Sequence, residues 1–217
     1  EKIIILGGSH CFRNDRGLEI LRDSEADAIC TGEGEDSFCN ILDIIKTTGM
    51  LDKCVGIAFK DKKNGIIIDG REGALFENLD LLPFADFSDF RLDSYREKML
   101  PVLIGRGCVN QCVFCSEWVR FKRYRHRSAK NVFEEIKCQK EKHPFIEQFY
   151  FNDSLVNADM DVLKEFCLLL AGSGMRIKWC GQAVVREEMD LDFLKRMKET
   201  GCQWLSYGVE SGSNAIL

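Results

Sequence analysis

The apolar positions of this chain change period along its length. Residues 2–6, Lys-Ile-Ile-Ile-Leu, form an unbroken apolar run, as expected of a strand buried on both faces of a parallel sheet. The run leads into Gly7-Gly8-Ser9-His10. A helix is expected over 16–22, a short strand over 28–30, and a second helix over 38–46 with Phe38, Ile41, Leu42 and Ile45 on one face. Residues 55–69 predict a hairpin turned through Asn64-Gly65. From Arg71 to Tyr95 the pattern is irregular. Its leucines and phenylalanines predict a linker that packs on a neighbour.

From Pro101 onward strand and helix patterns alternate. Strands are expected at 102–104, 146–151, 176–180 and 203–208. Helices are expected between them, at 128–141 (apolar side Val132, Phe133, Ile136), 159–171 (Leu163, Phe166, Cys167, Leu170) and 190–200 (Leu191, Leu194, Met197). Such alternation means βα units and a parallel sheet, which right-handed crossovers curl toward a barrel. The fold class is α/β. The expected division is residues 1–50, a hairpin and linker over 51–100, and a barrel-like part over 101–217.

Composition narrows the picture. The 217 residues carry a net charge of −5, which argues against a general nucleic-acid or membrane-surface protein. No apolar run approaches the roughly 20 residues of a membrane span. Eleven cysteines, odd in number and mostly scattered, point to a reducing cytoplasm and not to a disulfide framework. The chain opens at Glu1 and stops at Leu217, where a helix is expected to start; it is expected to be a fragment.

The densest chemistry lies in Leu103 to Cys115, where Cys108, Cys112 and Cys115 are spaced C-x3-C-x2-C. Thiolates suit iron–sulfur clusters or zinc. Three thiolates hold three corners of a cubic cluster and leave the fourth open. Structural zinc wants four protein ligands, and the nearby fourth candidate, His126, has an unusual spacing. Three buried structural thiols are the plainer alternative. With Phe114 just before the last cysteine and a strand before the loop, the stretch resembles the radical S-adenosylmethionine (SAM) enzymes. The resemblance implies a [4Fe–4S] cluster on the three cysteines. It also implies SAM chelating the open iron, reductive cleavage to a 5′-deoxyadenosyl radical, and a partial (β/α)6 barrel of which about four strands are present here.

The first hundred residues carry a second resemblance. Gly7-Gly8-Ser9-His10 after a strand, Gly32-Glu33-Gly34-Glu35, a hairpin and a Leu-Pro linker together look like the end of the Rossmann-like cobalamin-binding domain fused to many radical SAM enzymes. Gly7 and Gly8 would then match the closing Gly-Gly of the cobalamin motif. The family's Asp-x-His-x-x-Gly loop and Ser-x-Leu strand would precede Glu1. The plainer alternative for Gly7-Gly8 is a tight turn. The Gly32-x-Gly34 pattern is not expected to cradle phosphate. Glu33, Glu35 and Asp36 would repel it, and they suit the start of the next helix.

In parallel barrels the reactive residues gather at the carboxyl ends of the strands. Those ends deliver the cysteine loop, then Asn152-Asp153-Ser154, then Gln182 with Arg186 following, then Gly208-Val209-Glu210-Ser211. The resemblance implies that Asn152 and Asp153 meet the SAM ammonium and that Glu210 meets the ribose or ammonium. It gives Arg186 the carboxylate and Gln182 the ribose, and it sets Phe114 near the adenine. Asn152-Asp153 departs from the family's common Gly-Gly-Glu. The plainer alternatives are a helix cap for Asp153 and a surface charge for Arg186.

The basic run 120–127, interleaved with aromatics, is expected to be a solvated loop. Docking of RNA or of an electron donor such as flavodoxin or ferredoxin is the alternative. The remaining cysteines are expected to be ordinary buried thiols. The expected activity is radical chemistry on an unknown small-molecule or natural-product-like substrate, with cobalamin-dependent methyl transfer foremost. The alternatives are a cobalamin-free radical SAM enzyme, methylthiotransferase-like or cyclising, and a non-catalytic iron–sulfur or zinc module.

Overall fold

Among the described residues the buried apolar side chains gather into three clusters, one around Phe149, Phe151, Phe166 and Trp179, one around Cys30, Ile41, Ile57 and Phe59, and one around Leu21, Ile29 and Ala58. The computed structural model describes residues 2–8, 10–11, 15–61, 64–70, 73, 75–213 and 215. Ser9 of the glycine turn, Lys62 and Lys63 of the hairpin turn, Arg71 of the linker and Leu217 lie outside them. The chain divides into two units, Glu1–Glu77 and Asn78–Leu217.

In the first unit, β1 (Ile5–Leu6), α1 (Asp15–Asp23), β2 (Ala28–Cys30), α2 (Gly34–Thr48), β3 (Ile57–Lys60) and β4 (Ile67–Asp69) follow in order. The sheet runs β1-β2-β3-β4. β1 and β2 are parallel, and the β3–β4 hairpin joins antiparallel to β2. The hairpin was expected as a segment apart; it belongs to this sheet because β3 brings Ile57 and Ala58, both fully buried, against β2. Two other expectations differ. The strand over 2–6 is short and half-exposed, with Ile4 47% exposed, because β1 has a partner on one side only among the described residues. In α2 the buried positions are Ser37 and Ile41, while Phe38 and Leu42 face outward. α2 ends at Gly49, whose φ of 68° favours glycine.

In the second unit come β5 (Met99–Val102), β6 (Gly105–Arg106), α3 (Glu117–Phe121), β7 (Arg125–His126), α4 (Ala129–Lys142), β8 (Gln148–Phe151), α5 (Met160–Ser173), β9 (Lys178–Ala183), α6 (Leu191–Glu199) and β10 (Cys202–Tyr207). Four strands form one sheet in the order β10-β9-β8-β5, every pair parallel. β6 and β7 make a separate antiparallel ribbon. The helices start where short polar side chains cap them: Ser128 for α4, Asp159 for α5 and Asp190 for α6. The core sits between the sheet and the helices. Phe151, Phe166 and Trp179 meet edge to face there, with ring centroids 5.4–6.1 Å apart. In α6 the buried residues are Phe193 and Met197; Leu191 and Leu194 are largely exposed, against expectation.

The linker packs on a neighbour as expected, and the neighbour is α4. Ala85 donates its N–H to Glu135 at 3.0 Å and accepts from Gln139 at 2.7 Å, while Asp80 accepts from the Ser128 N–H at 2.8 Å. No helix among the described residues is long and apolar enough to cross a membrane.

Candidate functional site

Because β5, β8, β9 and β10 are parallel, their carboxyl ends share one edge of the sheet. The side chains there alternate by strand geometry. Phe151 and Ala183 turn into the core, while Asn152 and Gln182 are exposed on the other face. Register pairs Phe151 with Gly181 and Gln182 with Ser206, so Asn152, Gln182 and Ser206 form one polar row.

The loop from β8 to α5 is the hub of this edge. Toward the cysteine loop, both Asp153 oxygens accept the Ile104 N–H at 3.0 Å, and Oδ1 also accepts from Gly105. Ser154 donates to Glu117 of α3 at 2.6 Å. Toward β9, Val156 N–H donates to the Gln182 carbonyl at 2.7 Å. Asn157, fully buried, donates to the Val184 carbonyl at 2.7 Å and accepts its N–H at 3.0 Å. Arg186 donates to the Ala158 carbonyl at 3.1 Å. Asp153 also explains why β5 ends at Val102 and not at Ile104 as expected. The Ile104 N–H is taken by this carboxylate instead of a strand partner.

Asp153 is 5% exposed. Burial raises its carboxyl to about 7, against the pull of the Ile104 and Gly105 amides and Arg127. It is neither a helix cap nor a group displayed at the strand end. Asn152 is displayed there, its own N–H bonded to the Val102 carbonyl at 2.9 Å. Arg186 is half-buried, and its Nε is buried without a partner among the described residues, which is not the surroundings of a plain surface charge. Glu210 is exposed, with φ at 59°, and its carboxylate folds back over Gly208, where an added Cβ would lie 2.4 Å from Oε1. A non-glycine residue in that region is uncommon and is met more often at functional sites.

The cysteine loop is built differently. Cys108 and Cys115 are half-exposed and Cys112 is exposed, with Val113 97% and Phe114 70% exposed. The Cys115 N–H bonds the Cys112 carbonyl at 3.0 Å, closing a turn, and the Asn110 N–H lies 3.4 Å from the Cys108 sulfur. Among the described residues no three His, Cys, Asp or Glu side chains are gathered closely enough to hold a metal ion, so the three sulfurs do not converge. The donor set nevertheless fits an iron–sulfur cluster in kind and number. It offers three soft sulfurs on one accessible loop.

In the first unit Gly7 and Gly8 are exposed at the carboxyl end of β1. Gly8 has φ 93°, and a Cβ on either residue would meet nothing within 4 Å. Among the described residues no neighbour would crowd a side chain at Gly7. Glu33, the residue before α2, accepts the Phe76 N–H at 2.7 Å, and Glu35 and Asp36 lie in the first turn of the helix as expected.

The basic run is not the expected solvated loop. It carries β7, and Arg125 and Arg127 are each 7% exposed. Arg127 pairs with Glu135, donates to Asn131 at 2.6 Å and to the Leu103 carbonyl at 3.0 Å. The other cysteines are free, and all but Cys39 are at least half-buried. Burial pushes Cys167 up to about 11 and Cys202 up to about 12, which keeps these thiols neutral and poor as ligands.

Several site-edge residues carried no advance signal. Asn157 and the Ser154–Glu117 pair are polar residues in a loop, unremarked by any spacing. Tyr124 stacks on His126 with centroids 5.9 Å apart, its hydroxyl buried without a partner among the described residues, and His126 lies 3.7 Å from Asp159.

A parallel βα sheet with a thiol-bearing loop at the carboxyl edge defines a class of barrel-type, cysteine-loop proteins. Residues 102–217 match the Radical SAM superfamily, and the chain belongs to it. It is 28% identical over 218 residues to an uncharacterized methyltransferase of Pyrococcus horikoshii, covering 99% of this chain and 46% of that protein. It is 24% identical to cytidylyl-2-hydroxyethylphosphonate methyltransferase of Streptomyces wedmorensis, covering 100% and 46%. Its fold is that of the cobalamin-dependent SAM radical enzyme OxsB, with a TM-score of 0.74 at 20% identity over 99% of this chain and 32% of that one. It is also that of the radical SAM methyltransferase TsrM from Kitasatospora setae, with a TM-score of 0.72 at 16% identity over 98% and 42%. The chain spans less than half the length of these relatives.

Proposed function

We propose that the protein to which this chain belongs is a cobalamin-dependent radical SAM methyltransferase acting on a small-molecule substrate. The observation that carries the reading is the juxtaposition, at one sheet edge, of the Cys108, Cys112, Cys115 loop with a polar row and two groups ready for a charged ligand. When bound, the [4Fe–4S] cluster and SAM supply a one-electron route to hydrogen abstraction, and cobalamin supplies a methyl carrier.

The chain's residues do the positioning. Cys108, Cys112 and Cys115 hold the iron. Arg186, with its Nε unpartnered among the described residues, receives the SAM carboxylate, and Asn152 and Glu210 receive the ammonium or ribose. Gln182 stands in the same row as Asn152 and reaches the ribose. Phe114, exposed between two ligands, covers the adenine. Gly7 and Gly8, with open space where side chains would stand, admit the close approach of cobalamin. The methyltransferases among the relatives support the transfer, and the cobalamin-dependent neighbours support the cofactor. An electron donor such as flavodoxin or ferredoxin completes the set of partners.

Anaerobic reconstitution of the full-length protein tests this. About four irons per chain, SAM-dependent 5′-deoxyadenosine release and retained cobalamin are expected. One zinc per chain with no SAM cleavage would sink the enzyme reading, and turnover without retained cobalamin would remove the methyl carrier.

A further inference from the structure

Asp153 is a carboxylate in surroundings that disfavour one. Its two oxygens point at the backbone amides of Ile104 and Gly105 and not at the open edge of the sheet. Those amides belong to the segment that becomes the cysteine loop. Gly107, two residues on, turns left-handed with φ 84°, and Cys108 follows. The opposite side of the segment is closed as well. A Cβ on Gly105 would come 2.7 Å from the Arg125 carbonyl oxygen and 2.8 Å from the Tyr124 ring, and one on Gly107 would come 2.6 Å from the Arg123 carbonyl oxygen. The stretch 104–107 is therefore gripped between the end of β8 and β7, while the residues just beyond it are exposed.

We infer that Asp153 is a positioning residue for the cysteine loop: its carboxylate fixes the backbone at Ile104 and Gly105 and so sets the direction in which Cys108, Cys112 and Cys115 leave the sheet. The inference rests on reading those cysteines as cluster ligands. It also moves Asp153 from the SAM contact that the family resemblance implies to a role one layer behind the iron. Groups behind the ligands of a metal site commonly change metal affinity 10- to 100-fold. A buried charge costs stability unless it is well bonded, so a neutral isostere here isolates what the charge does for the loop.

The test uses Asp153→Asn in the full-length protein at pH 8. Asparagine keeps the volume and one acceptor oxygen, removes the charge, and sets an amide donor against the two backbone donors. Hydrogen exchange at Ile104 and Gly105 is expected to quicken at least about tenfold, and loss of the reconstituted cluster to a chelator about 10- to 100-fold. The cluster's midpoint potential is expected to move, which a mere loss of fold stability would not cause in the folded fraction. Gly105→Ala keeps the carboxylate but displaces the same backbone from the other side, and it is expected to speed cluster loss too; it carries the test alone if the asparagine variant does not fold. Wild-type exchange and cluster-loss rates in the variants would overturn the inference. So would an Asp153→Asn protein that keeps its cluster yet binds SAM over tenfold more weakly, since Asp153 would then touch SAM. If the unaltered protein takes up no iron, the functional reading fails by itself, and exchange at Ile104 and Gly105 in the apoprotein still decides whether Asp153 holds the segment.

Discussion

Two loops leave neighbouring strands at the same edge of the sheet and are built on opposite plans. The loop after β8 buries Asp153, Val156, Asn157 and Ala158 and bonds to segments on both sides. The loop that carries the three cysteines exposes Val109, Val113 and Phe114 and closes one backbone turn on itself. The first has the burial and bonding of a stable framework; the second has few buried contacts, the mark of low local stability. On the proposed function, the well-bonded loop orients and the accessible loop binds. Fixed support behind adaptable ligands is what a site must have to hold a cofactor in one geometry.

The largest effect should come from the exposed loop. Cys112→Ala is expected to abolish cluster binding, taking iron from about four per chain to near none. Its apoprotein should unfold within about 0.5 kcal/mol of the parent, because the thiol is exposed. Iron analysis and urea unfolding on the same samples check both halves, and a large stability loss would erase the contrast between the loops.

Asn157→Ala strikes the hub. It removes a fully buried side chain that serves both the carbonyl and the N–H of Val184 and leaves those groups unpaired. A loss of about 2–4 kcal/mol is expected in urea unfolding. A loss below about 0.5 kcal/mol would mean that the loop after β8 is no framework.

The third prediction concerns pH. Asp153 has its folded carboxyl raised by burial from 3.8 to about 7, so the folded chain binds this proton more tightly than the unfolded one. Its contribution to stability is fully present below about pH 4, declines as pH rises to about 7, and is gone above, a change on the order of a few kcal/mol. The stability difference between the parent and Asp153→Asn should follow that slope. A flat difference from pH 4 to 8 would show that the carboxyl is not raised.

Phe114→Ala should be the mildest. With 70% of the ring exposed, stability is expected to change by no more than about 0.5 kcal/mol. SAM affinity, read by calorimetry on the reconstituted protein, should fall several-fold. Unchanged affinity would take Phe114 out of the adenine site.

The hydrophobic periods and capping residues alone located the helices now seen as α4 and α5 within a residue or two, and Ser128, Asp159 and Asp190 start their helices by bonds to amides two or three positions away. The cysteine spacing marked the loop for the same reason: thiols close in sequence write their pattern locally. The side chains whose partners are distant were not legible. Asp153 meets an amide 49 residues back, and Arg127 and Glu135 are buried only because the linker and the strand before the cysteine loop close over them. Nor did periodicity choose which flank of α6 is buried, since Leu191, Phe193, Leu194 and Met197 offer two apolar faces and packing against the sheet selects one. Local bonds are set by neighbours along the chain, so sequence determines them; the fate of a charge depends on which surfaces fold over it, and that only the tertiary structure decides.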